Sequence, residues 1–315
     1  MRMVLHKSKQ YWLVALKVLV LACTFAYIFH KISSQEKIPW SAFVSEIKGN
    51  QIGFIILFIT LALINWTFEI LKWKTLASKI KNISFTEAIK QTLSSLTVSL
   101  PTPNRIGEYG AKAFFYASEK RKEVIFLNFV GNTFQMFVTC FFGIVGLYYF
   151  LQNHSLPASS TNVILLCVFL LLICFLGYFF RRKQLIIKGL SVLRMFNYVK
   201  RLPSSIKTKV LLFSVFRYVI FGFLFYQLLV FFGANVSFIE ALPYIFVMYF
   251  LVSIVPSFLL FDVVIRGGVA VWLFSLIGVA ELKILSAVFS MWILNFIIPA
   301  LLGSYFVITY KRNLL

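Results

Sequence analysis

The sequence predicts an all-α integral membrane protein. About six full spans and two re-entrant helical hairpins, eight or more membrane segments in all, are expected to form an inverted repeat. Three observations predict it. Of the 315 residues 60% are apolar and 13% charged, with mean hydropathy +0.89, against about 45–50% apolar and about 25% charged in soluble chains. Apolar runs of about 20 residues, the length of the hydrocarbon core, recur between short basic loops. Two shorter apolar stretches are broken by proline, glycine and charge, at Leu100-Pro101-Thr102-Pro103-Asn104-Arg105-Ile106-Gly107-Glu108 and between Pro256 and Gly268. Residues 1–315 form one polytopic domain with repeat halves at about 1–151 and 162–315.

The first span is residues 11–29, where Lys17 lies near the basic end and can snorkel. Arg2, Lys7 and Lys9 precede Val20-Leu21-Ala22-Cys23, which faintly resembles a lipoprotein cleavage box. Lys17 interrupts the apolar run and Leu21 fits the box poorly, so an uncleaved span is expected. A polar linker with Pro39 leads to the second span at 52–71, where Glu69 is expected to pair with Lys72 or Lys74. Ser84-Phe85-Thr86-Glu87 is a capping box, a hydroxyl for one orphan amide and a carboxylate reaching back to another. It opens a helix running to Leu100 and rich in hydroxyls (Thr92, Ser94, Ser95, Thr97, Ser99). These either line a polar path or bond helix backbone. A second short piece is expected from about Arg105 to Ala117.

The next span, 124–151, begins with Asn128, Asn132, Thr133 and Gln135, which are expected to face other helices. Residues 162–180 form another span. The segment 181–209 is dense in Lys and Arg with interleaved apolar residues and reads as a basic amphipathic stretch on the membrane surface. Arg217 lies inside the span 210–232. A second capping box, Ser237-Phe238-Ile239-Glu240, opens an apolar piece with Pro243 in its first turn that stops at Pro256. Asp262 is expected to cap a further piece through Arg266, Gly267 and Gly268 to about Ile277. The last span is 284–310, with Asn295 and Pro299.

The two boxes extend into a match, Asn82-Ile83-Ser84-Phe85-Thr86-Glu87-Ala88-Ile89 against Asn235-Val236-Ser237-Phe238-Ile239-Glu240-Ala241-Leu242. Each is followed by a proline (Pro101, Pro256), an arginine (Arg105, Arg266) and an acid (Glu108, Asp262). The bias of Lys and Arg toward cytoplasmic loops places both termini in the cytoplasm of a multi-pass protein of the cytoplasmic (inner) membrane. Only Lys31, Lys37, Lys48 and Lys283 are then left outside. The first hairpin enters from the inside and the second from the outside, as in secondary transporters with inverted repeats.

A broken helix presents free amide N–H groups and a positive dipole end, which suit phosphate or carboxylate. The substrate-binding candidates are Arg105, Glu108, Lys112, Arg266 and Arg217. Arg105, Glu108 and Lys112 are spaced to share one helical face. The hairpin tips are Pro101, Pro103, Gly107, Pro256, Asp262, Gly267 and Gly268, with Gly267-Gly268 permitting close helix packing. Glu108 either binds substrate or neutralises a neighbouring cation. Cys23, Cys140, Cys167 and Cys174 form no Cys-x-x-Cys pair, and His6, His30 and His154 form no cluster. No metal, cofactor or catalytic residue is expected, and no phosphate-binding loop for direct ATP use is present. The formal net charge of +21 points to anionic membrane lipids rather than nucleic acid.

Pro103-Asn104-Arg105-Ile106-Gly107-Glu108, the motif from Pro256 to Gly268 and the chain length resemble the transmembrane region of lysylphosphatidylglycerol synthases. The stand-alone flippase-like proteins built on that region are more similar still. The resemblance covers nearly the whole chain. It implies a polytopic bundle with re-entrant hairpins that moves a lipid, aminoacylated or isoprenoid-linked, between leaflets. Two positions depart from it: Ala111 stands where the family often has a basic residue, and Gly267 where it often has glutamate. The expected role is transport of an anionic, aminoacylated or isoprenoid-linked lipid. The alternative is a non-transporting membrane scaffold of an envelope lipid or glycan pathway. The expected partners are membrane lipids, with a homo-oligomer or an envelope enzyme as the protein partner.

Overall fold

The computed structural model describes residues 52–100, 102, 105–153, 192–254 and 259–309. The expected spans at 11–29 and 162–180, the linker at 30–50, Pro101, Pro103, Pro256, three of the cysteines and all three histidines lie outside them. Among the described residues four helices are long and apolar enough to cross a membrane: Ile52–Ala77, Ser118–Asn153, Ser204–Phe231 and Glu281–Thr309. They coincide with four of the expected spans. The described residues form helices α1 (Ile52–Ala77), α2 (Phe85–Ser99), α3 (Gly107–Ala113), α4 (Arg121–Asn153), α5 (Val192–Arg201), α6 (Ser204–Phe231), α7 (Phe238–Ile254), α8 (Leu259–Ser275), α9 (Glu281–Trp292) and α10 (Ile298–Thr309).

Local chemistry explains most boundaries. Ser84 caps α2 in a complete box: its Oγ accepts from the Glu87 amide at 3.1 Å, and the Ser84 amide donates to Glu87 Oε2 at 2.8 Å. The second box is half made, with the Glu240 amide on Ser237 Oγ at 3.3 Å. Lys283 Nζ meets the Gly233 carbonyl at 2.6 Å just past the end of α6, where Gly233 turns the chain with φ +78. Between α9 and α10 the residues Ile293–Ile297 form one π turn. Pro299 has no N–H and its ring crowds the Asn295 carbonyl, so the wider turn accommodates it.

Three expectations are corrected. Of the basic segment 181–209, residues 181–191 lie outside the described residues, and the rest is not one surface helix: α5 ends at Arg201, Pro203 breaks the chain, and Ser204 onward belongs to the long helix α6. Asp262 is not an N-cap. It lies in the first turn of α8, one turn before Arg266. The second arms of the hairpins are unequal, because α3 has 7 residues rather than the stretch Arg105 to Ala117, while α8 has 17.

The helices have a clear polarity. The end of α1, the starts of α2, α4 and α6, and α3 share one apolar cluster containing Trp73, Leu76, Ile83, Ala88, Ala113, Val124 and Val210. The basic residues flanking these positions, Lys74, Lys79, Lys81, Lys120, Lys122 and Arg201 among them, gather at that end. At the opposite end Phe54 of α1 meets Phe231 of α6, ring centroids 5.6 Å apart. Ala88 near the start of α2 and Ala113 at the end of α3 lie in that same cluster at the basic end. At the other end, beyond α6, Tyr244 of α7 lies 6.0 Å from Phe274 of α8.

α1 packs along α6, α2 along α10, α7 along α4, α3 on α4 and α8 on α9. Exchanging α1 with α6, α2 with α7, α3 with α8, and α4 with α9–α10 reproduces this set. The register agrees. A Cβ at Gly303 would fall on the Leu93 carbonyl and Thr97 Oγ1, and one at Gly143 on the Phe250 ring. Gly146 likewise faces Phe246. The spacing that relates Asn82 to Asn235 also relates Leu93 to Phe246 and Thr97 to Phe250. The spacing from Arg121 to Glu281 relates Gly143 to Gly303. Glycine thus lets α2 approach α10, and α7 approach α4, closely.

Gly303→Ala should therefore cost about 1–3 kcal/mol through overpacking, read as a lower thermal midpoint of the purified chain in detergent. Gly53→Ala, where a Cβ has open space, should leave the midpoint within error. Ser84→Ala should cost about 1 kcal/mol by loss of the cap. The Ser84 backbone N–H holds the exposed Glu87 carboxyl below its ordinary range. Its stabilisation is then present at neutral pH and fades as pH falls through that lowered value. The difference in midpoint between the parent and Glu87→Ala should close over the same acidic range.

Candidate functional site

Charged side chains inside the bundle sort into three groups. In the first, Glu108 and Lys112 stand one turn apart on α3 and pair at 2.7 Å. Lys112 Nζ also donates to Asn128 Oδ1 at 2.8 Å and sits 4.6 Å above the Trp73 ring. Trp73 Nε1 in turn donates to Gln91 Oε1 at 2.8 Å, which also accepts from the Tyr116 hydroxyl at 3.1 Å. Lys112 is 1% exposed, and this set of partners holds α3 against α1, α2 and α4.

The second group is centred on Glu69. Its Oε2 lies 2.7 Å from Lys72 Nζ and 2.8 Å from Arg217 Nη1. Lys72 reaches Gln135 Oε1 at 3.4 Å, and Gln135 Nε2 donates to the Ser214 carbonyl at 3.4 Å. Of the two partners expected for Glu69, Lys72 is the one it meets. Arg217 joins α6 to α1 by an ion pair.

The third group gathers around the Phe296 ring. Arg266 Nε donates to Asp262 Oδ2 at 2.7 Å within α8. The Arg266 guanidinium lies 5.7 Å from the centre of the Phe296 ring, and the Arg105 guanidinium lies 5.2 Å from the same ring. Phe296 belongs to the π turn, whose Asn295 accepts from Asn65 Nδ2 at 2.8 Å. Arg105 precedes α3 and has φ +59, the left-handed region that favours glycine. Its amide donates to the Thr102 carbonyl at 3.1 Å, and Thr102 Oγ1 accepts from the Gly107 amide at 2.9 Å. A Cβ at Gly107 would lie 2.9 Å from Thr102 Cγ2, so this turn needs glycine there. Among the described residues Arg105 has no carboxylate partner, and its buried Nε has no hydrogen-bond acceptor.

The three groups are electrostatically linked. Glu69 feels Arg217, Lys72 and Lys112, and Arg105 feels Glu108, Arg217, Glu69 and Asp262. The cations Lys72, Arg105, Lys112, Arg217 and Arg266 face only the carboxylates Glu69, Glu108 and Asp262. Two positive charges remain in excess among the described residues, one in the group around Glu69, where Lys72 and Arg217 share a single carboxylate, and one at Arg105.

Sequence spacing put Arg105, Glu108 and Lys112 on one helical face. Instead Glu108 goes with Lys112, while Arg105 stands in the turn and points to Phe296. Gly267 faces Leu285 Cδ2, at 3.2 Å from a built Cβ, whereas Gly268 has open space. Most of the α2 hydroxyls bond carbonyls of their own helix, and Thr97 also donates to the Ala300 carbonyl at 2.9 Å. Asn128, Asn132 and Gln135 face other helices, but Thr133 bonds its own Phe129 carbonyl. Glu69, Lys72 and Phe296 were not among the expected site residues. Phe296 carries no local signal in a chain with 37 phenylalanines. Among the described residues no group of three His, Cys, Asp or Glu side chains could hold a metal.

Residues 12–303 match the family model for the lysylphosphatidylglycerol synthase TM region. No curated protein and no solved structure matches the chain.

Glu69→Gln should destabilise the chain by about 3–5 kcal/mol, because it leaves Lys72 and Arg217 buried against a neutral amide. Arg105→Gly should act oppositely and raise the thermal midpoint, since it relieves a left-handed backbone worth about 1–2 kcal/mol and removes an uncompensated charge.

Proposed function

We propose that this chain, which belongs to the lysylphosphatidylglycerol synthase TM region family, is a flippase-like transporter that carries a lipid with an anionic headgroup group between leaflets. The observation that carries the reading is the meeting of Arg105 and Arg266 on Phe296, with positive charge in excess of carboxylate. A guanidinium offers bidentate donors matched to phosphate or carboxylate. Charge buried in a membrane protein is costly and marks a substrate path by default.

The architecture in the proposal is an inverted repeat in the cytoplasmic membrane, with both termini inside and the two hairpins re-entrant from opposite faces. Three features support it: the hairpins start from opposite ends of the bundle, the helix contacts are exchanged between halves, and basic residues gather at one end. In such folds the site sits where broken helices meet, and alternate exposure comes from movement of one repeat against the other. Glu108 and Lys112 then hold the first tip, and Glu69 with Arg217 holds the α1–α6 scaffold on which the tips move. Aminoacylated and isoprenoid-linked lipids both carry the required anionic group.

Reconstitution into vesicles with labelled phosphatidylglycerol tests the reading. Arg105→Ala and Arg266→Ala should each slow leaflet exchange tenfold or more, and Arg105→Lys should restore part of it. Parent-like exchange in both alanine variants would remove the site assignment. Absence of exchange by the parent, together with stable co-purification of an envelope enzyme, would favour the scaffold role.

A further inference from the structure

One buried titratable group has no part in the anion site: Lys72 of α1, whose side chain is 3% exposed. Its ammonium lies 2.7 Å from Glu69 Oε2, and Arg217 Nη1 of α6 lies 2.8 Å from the same oxygen. Two cations thus share one carboxylate. α4 adds no charge here: Gln135 Oε1 accepts from Lys72 at 3.4 Å, and Gly131 leaves room for the lysine stem, a built Cβ lying 3.8 Å from Lys72 Cε. Among the described residues the other charge acting on Lys72 is Lys112 of α3, a further cation. The acids outside the described residues are Glu36 and Glu46, both in the polar linker, so the expected spans 11–29 and 162–180 bring no carboxylate to the group.

An excess charge in a low dielectric is costly, and within this group it can leave by one route. A guanidinium keeps its proton in proteins, whereas a lysine ammonium can give its proton to water. When an N–H bond of Lys72 Nζ breaks and the proton passes to water, an amine remains, Glu69 and Arg217 stay as a one-to-one pair, and the group is neutral. The amine still has N–H bonds to donate to Glu69 Oε2, so the packing of α1 on α6 need not change. Lys112 is not in the same position, because Glu108, Asn128 and the Trp73 ring already answer its charge. The group is also tied to the anion site, since Arg105 feels Glu69 and Arg217 as well as Glu108 and Asp262. A negative charge bound at Arg105 opposes the excess positive charge and favours the protonated form of Lys72. Such linkage is reciprocal: the proton strengthens anion binding by the same factor.

We infer that Lys72 is the proton-carrying group of this chain: it takes up a proton from water when an anion binds at Arg105 and returns it when the anion leaves, so that lipid and proton move together. The inference rests on the anion-site reading above for its ligand and goes beyond it by assigning a coupling ion. Protons serve as coupling ions in secondary transporters, and buried ionisable residues carry them. Glu69 and Arg217 become positioning residues, which hold Lys72 in a group that is neutral only without its proton.

The test uses the purified full-length chain in detergent, with dihexanoyl phosphatidylglycerol as the probe and dihexanoylglycerol as the phosphate-free control. A phosphodiester is chosen because a phosphate monoester titrates by itself near about pH 6. Binding is read as ligand-dependent thermal stabilisation, and proton uptake with an indicator dye in weak buffer, in steps from about pH 6 to about pH 10, the range up to the ordinary lysine value. The parent should take up a fraction of a proton per lipid bound, and its affinity should fall about tenfold as pH rises through that range, a usual size for such coupling. Lys72→Met should bind with an affinity that does not change over the range and should take up no proton. Its ligand-free midpoint should match or exceed the parent's, because Glu69 keeps Arg217. Lys72→Arg keeps the charge but cannot release it, so it should bind at every pH as the parent does at low pH, again without uptake. A purely structural lysine would leave the uptake unchanged in both variants, and that result overturns the inference. If Lys72→Met does not fold, Lys72→Arg decides. Binding by the parent with neither uptake nor pH dependence also overturns the inference and leaves the anion site standing. Equal binding of dihexanoylglycerol, or no binding of the lipid by the parent, removes both readings together.

Discussion

Charge buried in a low dielectric has to be neutralised, and the whole bundle is arranged around how far that neutralisation goes. Glu69 answers Lys72 and Arg217, and Glu108 answers Lys112, each at 2.7–2.8 Å. Removing one partner of such a pair is far more damaging than the pair is stabilising, because the survivor stays buried. The Glu69–Arg217 pair therefore fixes α6 against α1, while Lys112, through Asn128 and the Trp73 ring, fixes α3 against α4 and α1. Around Phe296 neutralisation stops short. Asp262 answers Arg266, but among the described residues Arg105 has only an aromatic ring, shared with Arg266.

Two guanidiniums on one ring repel each other, and a quadrupole offsets only part of that repulsion. The arrangement persists because the backbone determines it on both sides. Arg105 is held in a left-handed turn that Thr102 and Gly107 tie together. Phe296 is presented by a π turn that Pro299 requires and that the Asn65–Asn295 hydrogen bond anchors. Strained backbone and a π turn at one locus are features that cluster at functional sites. An anion entering between the arginines would relieve the repulsion.

The helix scaffold was largely legible. Four described spans fall where apolar runs of the right length predicted them, and the Ser84 box formed with both of its bonds. Gly303 lies against Thr97 and Gly143 against Phe250, and the spacing from Thr97 to Phe250 is the one that separates Asn82 from Asn235. Less legible were features in which one local signal competed with another. Asp262 has the chemistry of an N-cap, but α8 starts at Leu259 and the carboxylate turned to Arg266. The run of basic residues at 181–209 read as one amphipathic surface, yet Pro203 divides it between α5 and α6.

What the sequence determined by itself was local: which stretches are apolar for long enough to span, where caps and prolines start and stop helices, and that arginines and acids sit beside both breaks. Those properties follow from residues within a turn or two of each other. What only the tertiary structure decided was partnership. Arg217 could have snorkelled, but it meets Glu69 on another helix. Arg105 could have joined the Glu108 face, but its left-handed turn sends it to Phe296, far along the chain. Such pairings depend on the depth and rotation of packed helices, which hydropathy and spacing do not encode.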